Sequence, residues 1–93
     1  MSIKVSIQNP SGLPPWALTE LLLIASRFHC HVSIRDGEIM IDGKSLIEVI
    51  SMTRSRLPRV EVQLRGEDEE EALDCIRDSR VGQYIAHLHV KAG

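Results

Sequence analysis

The chain has one tryptophan, one tyrosine and one phenylalanine among its 93 residues. Interleaved aromatics for stacking on bases are therefore missing. With Lys+Arg 11 against Asp+Glu 13, there is also no basic surplus to hold a phosphate backbone, so nucleic acid is not an expected partner. Two cysteines, Cys30 and Cys75, are too few for a disulfide framework, and reduced, partly buried thiols are the expectation. The longest apolar run, Leu21-Leu22-Leu23-Ile24-Ala25, falls far short of the roughly 20 residues that span a bilayer. Met1-Ser2-Ile3-Lys4-Val5 opens on a strand pattern and lacks the basic head and apolar run of a secretory signal. These absences lead to the expectation of a soluble, cytoplasmic protein with no membrane partner. No Ser-His-Asp, Cys-His-Asp, paired-carboxylate or phosphate-loop pattern occurs, so neither enzymatic activity nor a cofactor is expected.

What is present is globular in composition: 43% hydrophobic and 26% charged residues argue against disorder, and the length suits one domain over residues 1–93. Ile3, Val5 and Ile7 alternate with Lys4, Ser6 and Gln8, which predicts a strand with one buried face. Asn9-Pro10-Ser11-Gly12 is turn chemistry, and Pro14-Pro15 suits the first turn of a helix. Leu18, Leu21, Leu22, Ala25 and Phe28 then follow helical spacing, predicting a helix to about His29. Val32, Ile34, Ile39 and Ile41 alternate around Asp36-Gly37, a hairpin with a favoured two-residue turn of type I′. Ser45 and Glu48 have capping-box spacing at the head of a short helix ending near Ser51 or Met52. Thr53 to Pro58 is a basic loop. Val60, Val62 and Leu64 mark another strand, and Asp68-Glu69-Glu70-Glu71 opens a third helix, with Asp68 as N-cap and Glu71 at the capping-box position. The tail, residues 83–93, alternates and fits a further strand, an edge-pairing segment or the frayed end of the helix. The order β-α-β-β-α-β-α predicts an α+β, two-layer open-faced sandwich, with a four-stranded antiparallel sheet and three helices on one face.

Several stretches are candidates for chemistry. A glycine-containing turn feeding a helix, as at Asn9 to Leu18, gathers backbone N–H groups and a positive dipole end, a natural anion site. His29-Cys30-His31 and His87-Leu88-His89 each put two imidazoles at strand spacing, and imidazole with thiolate suits zinc. They would have to converge, and ordinary surface histidines with no metal are the favoured reading. Arg54, Arg56 and Arg59 form a local basic cluster, better read as a solvated loop than as a contact for an acidic partner. Trp16 is either a partner-docking ring or a cover for the sheet edge. Leu46, Ile47, Val49, Ile50 and Met52 crowd more apolar surface onto two helical turns than one side can bury, leaving some for a partner.

The element order, with Asn9-Pro10-Ser11-Gly12-Leu13, Ala25-Ser26-Arg27-Phe28, Gly43-Lys44-Ser45-Leu46-Ile47 and Gly66-Glu67-Asp68-Glu69-Glu70-Glu71-Ala72, resembles the HPr phosphocarrier family of the sugar phosphotransferase system. The resemblance runs from about Ile3 to Asp78. It implies a sandwich of the same kind, and a first helix that begins G-L-H-A-R-P-A, whose histidine accepts a phosphoryl group and whose arginine and N–H groups hold it. This chain reads Gly12-Leu13-Pro14-Pro15-Trp16-Ala17-Leu18. Pro14 stands at the histidine position and Trp16 at the arginine position, and the two prolines remove two N–H donors. The resemblance also makes Ser45 the counterpart of a serine that a kinase phosphorylates in some bacteria. Capping alone is the favoured role for Ser45, since Glu48 one turn away disfavours a phosphate there.

The first expectation is therefore an HPr-like protein without phosphocarrier activity at the usual position, serving as a protein-binding or regulatory module through Trp16, Leu46, Ile47 and Ile50. Its partner would be another protein, for example a phosphotransferase-system component or regulator. The alternative is an active phosphocarrier or regulatory phosphoprotein using Ser45 or one of His29, His31, His87 and His89. A third reading is a homodimer formed through the Tyr84–Val90 segment by edge pairing.

Overall fold

The structure is a computed structural model and describes residues 2–91; Met1 and the last two positions of the tail, Ala92 and Gly93, lie outside the described residues. The elements are β1 (Ser2–Gln8), α1 (Pro15–Ala25), β2 (His31–Asp36), β3 (Ile39–Asp42), α2 (Leu46–Thr53), β4 (Arg59–Arg65), α3 (Glu69–Asp78), a 3-10 turn (Arg80–Tyr84) and β5 (Ile85–Lys91). The strands form one sheet in the order β3-β2-β4-β1-β5, with every neighbouring pair antiparallel.

The alternation predicted for β1, β2 and β4 sorts as expected. Ile3, Val5, Ile7, Val32, Ile34, Val60, Val62 and Leu64 are buried beneath the helices. Lys4, Ser33 and Gln63 point to the other face, which carries no layer of its own. Ala17, Leu18, Leu21, Leu22, Val49, Met52, Ala72, Leu73 and Ile76 supply the helical side of the same core. Each fully buried aliphatic side chain contributes about 1.5–3 kcal/mol by leaving water, so this layer contact dominates stability.

Five strands form the sheet where four were predicted. Residues 85–91 pair with the outer edge of β1, Ile3 opposite Val90 and Val5 opposite Leu88. The backbone groups of β1 that would otherwise face solvent are thereby paired. A bulge at Ala86, between the pairs Ser6–His87 and Ile7–Ile85, resets the phase of the alternation.

Three local expectations are also corrected. Helix α1 stops at Ala25, four residues before His29, because its last turn tightens: Arg27 N–H donates to Ile24 O and Phe28 N–H to Ala25 O, while Ser26 Oγ donates to Leu22 O. Asp68 does not cap its own helix with its side chain, and Glu71 does not complete a box. Asp68 instead accepts from the N–H groups of His29 and Cys30, at 2.7 and 2.8 Å. Glu69, 4% exposed, folds back to accept from Gly66 N–H. The hairpin loop is Gly37-Glu38, with Asp36 opposite Ile39 and positive φ at Gly37 alone of the two, the pattern of a type II′ turn.

Candidate functional site

The start of α1 is held by the turn before it. Gly12 has φ +99, a left-handed value that glycine adopts without strain, and the side-chain stem of Arg56 crosses it so closely that a Cβ there would lie 2.9 Å from Arg56 Cγ. Asn9 organises the turn: its carbonyl accepts from Gly12 N–H at 2.8 Å, its Oδ1 accepts from Ser11 N–H, and its Nδ2 donates to Gly12 O at 3.1 Å. Leu13 N–H donates to Leu57 O at 2.7 Å. The two prolines expected in the first turn fall at the N-cap, Pro14, and the first helical residue, Pro15, and neither has an N–H to offer. Ala17 N–H donates to Pro14 O. The N–H groups of Ser11, Gly12, Leu13 and Ala17 already have acceptors, and Pro14 and Pro15 have none to offer, so of the donors around this turn Trp16 N–H is the one left for an anion.

Trp16 is half-buried. The Arg80 guanidinium carbon lies 4.2 Å from its ring centroid, and the Tyr84 ring is 5.9 Å away, tilted by 41°. Two of the chain's three aromatic residues and one cation are therefore stacked where the 3-10 turn crosses the head of α1. This contact was not foreseen, because Arg80 and Tyr84 carry no local signal that they return to residue 16.

Ser45 caps α2: its Oγ accepts from Glu48 N–H at 3.4 Å. The Glu48 carboxylate turns instead to Asp42 N–H at 3.0 Å, so only half of the predicted capping box forms. Beyond the cap, Ile47 is 80% exposed, and Leu46 and Ile50 are about half exposed. This surface continues onto β3. Ile39 shares a face with the buried Ile34, yet it is 62% exposed, because β3 is a short edge strand that α2 covers only in part. Ile39, Ile41, Ile47, Met52 and Leu57 line a groove of about 260 Å³, with Asp36 and Glu48 at its rim. The sequence pointed to the α2 half of this surface. The β3 half was disguised as ordinary strand alternation.

The three arginines separate. The Arg56 stem lies against the Gly12 turn, and Arg59 Nη2 donates to Ser6 Oγ at 3.1 Å on the open sheet face. The two histidine pairs also separate: His31 is on β2, and His87 and His89 are on β5, three strand spacings of about 4.8 Å away. Among the described residues no three metal-ligating side chains meet within one chain. Cys30 and Cys75 are free thiols. Burial, reinforced by the neighbouring Asp68 carboxylate, pushes the Cys30 thiol above its ordinary value of 9.0, and Arg27 Nη1 lies 3.9 Å from Cys75 Sγ.

Asp68 ties the α1–β2 connection to α3. The His29 N–H first, and the Cys30 N–H after it, hold its carboxyl below the ordinary 3.8. A depressed folded value gives stability that is present above the unfolded value and is lost as pH falls through the folded one. Denaturant midpoints should therefore fall with acidification from about pH 4 downward. Asp68→Asn should lower the midpoint at neutral pH and flatten that part of the profile. An unchanged slope would remove Asp68 from the acid response.

The fold is thus an α+β one-sided sandwich, with a glycine turn and the start of α1 displayed at one end. A family model described as the PTS HPr component phosphorylation site matches residues 1–79, and the chain belongs to that HPr family. It is 29% identical over 76 residues to the phosphocarrier protein HPr of Pseudomonas aeruginosa, covering 81% of this chain and 84% of that protein. It is also 29% identical over 73 residues to the phosphocarrier protein NPr of Shewanella violacea, covering 78% and 80%. Among solved structures, a Mycoplasma histidine-containing phosphocarrier protein matches with TM-score 0.68 and 22% identity, over 94% of this chain and 100% of the other. HPr from Bacillus anthracis matches with TM-score 0.62 and 21% identity, over 92% and 96%. The solved structures establish the fold. Family membership makes this a phosphocarrier-related protein of the phosphotransferase system, in a family that is non-enzymatic and works with other proteins of that system. Among the described residues, no helix is long and apolar enough to cross a membrane.

Proposed function

We infer that this chain is a cytoplasmic HPr-family protein that does not carry phosphoryl groups at the start of α1 and acts as a protein-binding, regulatory module of the phosphotransferase system. One observation carries the reading. By the resemblance Pro14 and Trp16 stand at the family's nucleophile and cation positions, Pro14 and Pro15 carry no N–H, and the N–H groups of Gly12, Leu13 and Ala17 are already bonded. Proline has no atom that can accept a phosphoryl group, and a ring clamped by Arg80 and Tyr84 cannot replace a free guanidinium. The docking surface is Leu46, Ile47 and Ile50, extended by Ile39 and the groove beside it, with Trp16 as a further contact at the helix start.

Incubation with phosphoenolpyruvate and the first enzyme of the system tests this. No acid-labile label is the expected result. Label on His29, His31, His87 or His89 would establish instead an active carrier using a histidine outside the family position. A kinase assay comparing the wild type with Ser45→Ala tests regulatory phosphorylation. It should show no difference, because Ser45 Oγ is engaged as a cap. Ile47→Asp should weaken binding to the phosphotransferase partner by at least tenfold, about 1.4 kcal/mol. It should change folding stability by no more than about 0.5 kcal/mol, because Ile47 is exposed and an acidic side chain is tolerated in the first turn of a helix. Titration calorimetry with a thermal melt of the same variant separates the two effects.

A further inference from the structure

We propose that β5 pairs antiparallel with β5 of a second copy, and that the four histidines this brings onto the open sheet face form a site for a divalent transition metal such as Zn2+. Ile85–Lys91 is the outermost strand on its side of the sheet, so one row of its N–H and C=O groups has no neighbouring strand among the described residues. Edge strands are ordinarily blunted by proline, inward charge or brevity. This one has seven residues, contains no proline or glycine, and keeps charge out of its centre. The opposite edge, β3, has four residues.

The two faces of β5 both fit a second copy. Leu88 and Val90 lie beside Val5 and Ile3, on the side that the helices cover elsewhere, yet they are 36% and 50% exposed. His87 and His89 lie beside Ser6 and Lys4 on the open face, and both are exposed. The strand is also symmetric about its middle, His87-Leu88-His89. Full antiparallel overlap of its seven residues puts Leu88 opposite Leu88 of the second copy and covers both apolar side chains. The same register sets His87 opposite His89 of the second copy, and His89 opposite His87. Directly opposed residues have Cβ atoms about 4.5–5.5 Å apart, and residues two apart on a strand share a face, so four imidazoles converge on one patch. Tetrahedral Zn2+ with imidazole nitrogens at about 2.0–2.1 Å matches that donor set. Lys4, beside each His89, has a long flexible stem that can carry its charge away from the patch. One chain alone offers two histidines here, so the site is incomplete without the second copy. The family match ends at residue 79 and β5 begins at Ile85, so this device lies beyond the matched stretch.

The test is sedimentation equilibrium of the full chain, with ZnCl2 at half the chain concentration and with a chelator, beside a zinc titration followed by calorimetry. The expected result is a dimer with an apparent dissociation constant at least tenfold lower in Zn2+ than in chelator, with one metal bound per two chains. His87→Ala with His89→Ala should abolish the zinc dependence and leave the thermal melt in chelator unchanged, because both side chains are exposed. Val90→Asp should weaken dimerisation with and without metal. A monomer under both conditions overturns the proposal, as does zinc bound one per chain without a change in mass. A zinc-dependent dimer that persists in the double histidine variant overturns the assignment of the ligands.

Discussion

Pro14→His alone leaves this chain unlabelled by phosphoenolpyruvate and the first enzyme of the system, whereas Pro14→His combined with Pro15→Ala and Trp16→Arg produces acid-labile label. The single change supplies a nucleophile to a site that still lacks two other contributors. Pro15 at the first helical position has no N–H, and on the proposed reading Trp16 stands at the family's cation position. Loss of one preorganised donor costs about 10²–10³ in rate, so a site lacking a donor and a cation should react at least about 10⁴-fold more slowly than the restored one. The Asn9–Gly12 turn and the Leu13–Leu57 hydrogen bond are untouched by all three changes, so the register of the helix start is kept. The restored guanidinium would lie near Arg80, and the triple variant should melt below the wild type for that reason and for the lost stack. Label on the wild-type chain contradicts the inactive reading. A folded triple variant that binds the first enzyme and takes no label contradicts the account of why the site is inactive.

The reading of the head of α1 as a replaced site is positional and rests on the resemblance. Gly12-Leu13 fixes the register, and Pro14, Pro15 and Trp16 are read against it. Strands β1, β2 and β4 were legible because a period of two with one apolar face is a local property. Strand β5 was not. Its alternation runs through Ala86, and the bulge there places Ile85 on the same side as Leu88 and Val90, which no simple period shows. Whether such a segment pairs at all depends on the free edge of β1, far along the chain. Asp68 misled for a similar reason. An aspartate before an acidic helical turn has the pattern of an N-cap, but its carboxylate faces the unpaired N–H groups of His29 and Cys30, which are stronger claimants. Ile39 misled because exposure at an edge depends on where the helix layer ends, and periodicity carries no information about that.

Trp16→Ala should be among the most damaging single substitutions outside the buried core. Trp16 is half-buried, so the loss should fall just below the 3–5 kcal/mol of a buried aromatic truncation, at about 2–3 kcal/mol. For a domain of this length, about 1 kcal/mol shifts the melting temperature by 4–8 °C, which predicts a drop of roughly 10–20 °C. Part of that loss is specific to the stack. A double-mutant cycle between Trp16→Ala and Arg80→Ala should give a coupling of about 0.5–1 kcal/mol, the value for a cation over an indole near the surface. A cycle with Tyr84→Ala should give a similar coupling from the tilted ring pair. The 3-10 turn leads directly into β5, so the stack also fixes where that strand begins. Hydrogen exchange should therefore speed up in residues 85–91 of the Trp16→Ala chain before it does in β4, on the far side of β1. A drop of less than about 5 °C, or equal protection of β4 and β5, would mean that the ring merely covers surface. The expected result gives position 16 a different role from the one its family implies. On that result its side chain would hold the C-terminal strand against the sheet, at the position where the proposed reading puts the family's cation.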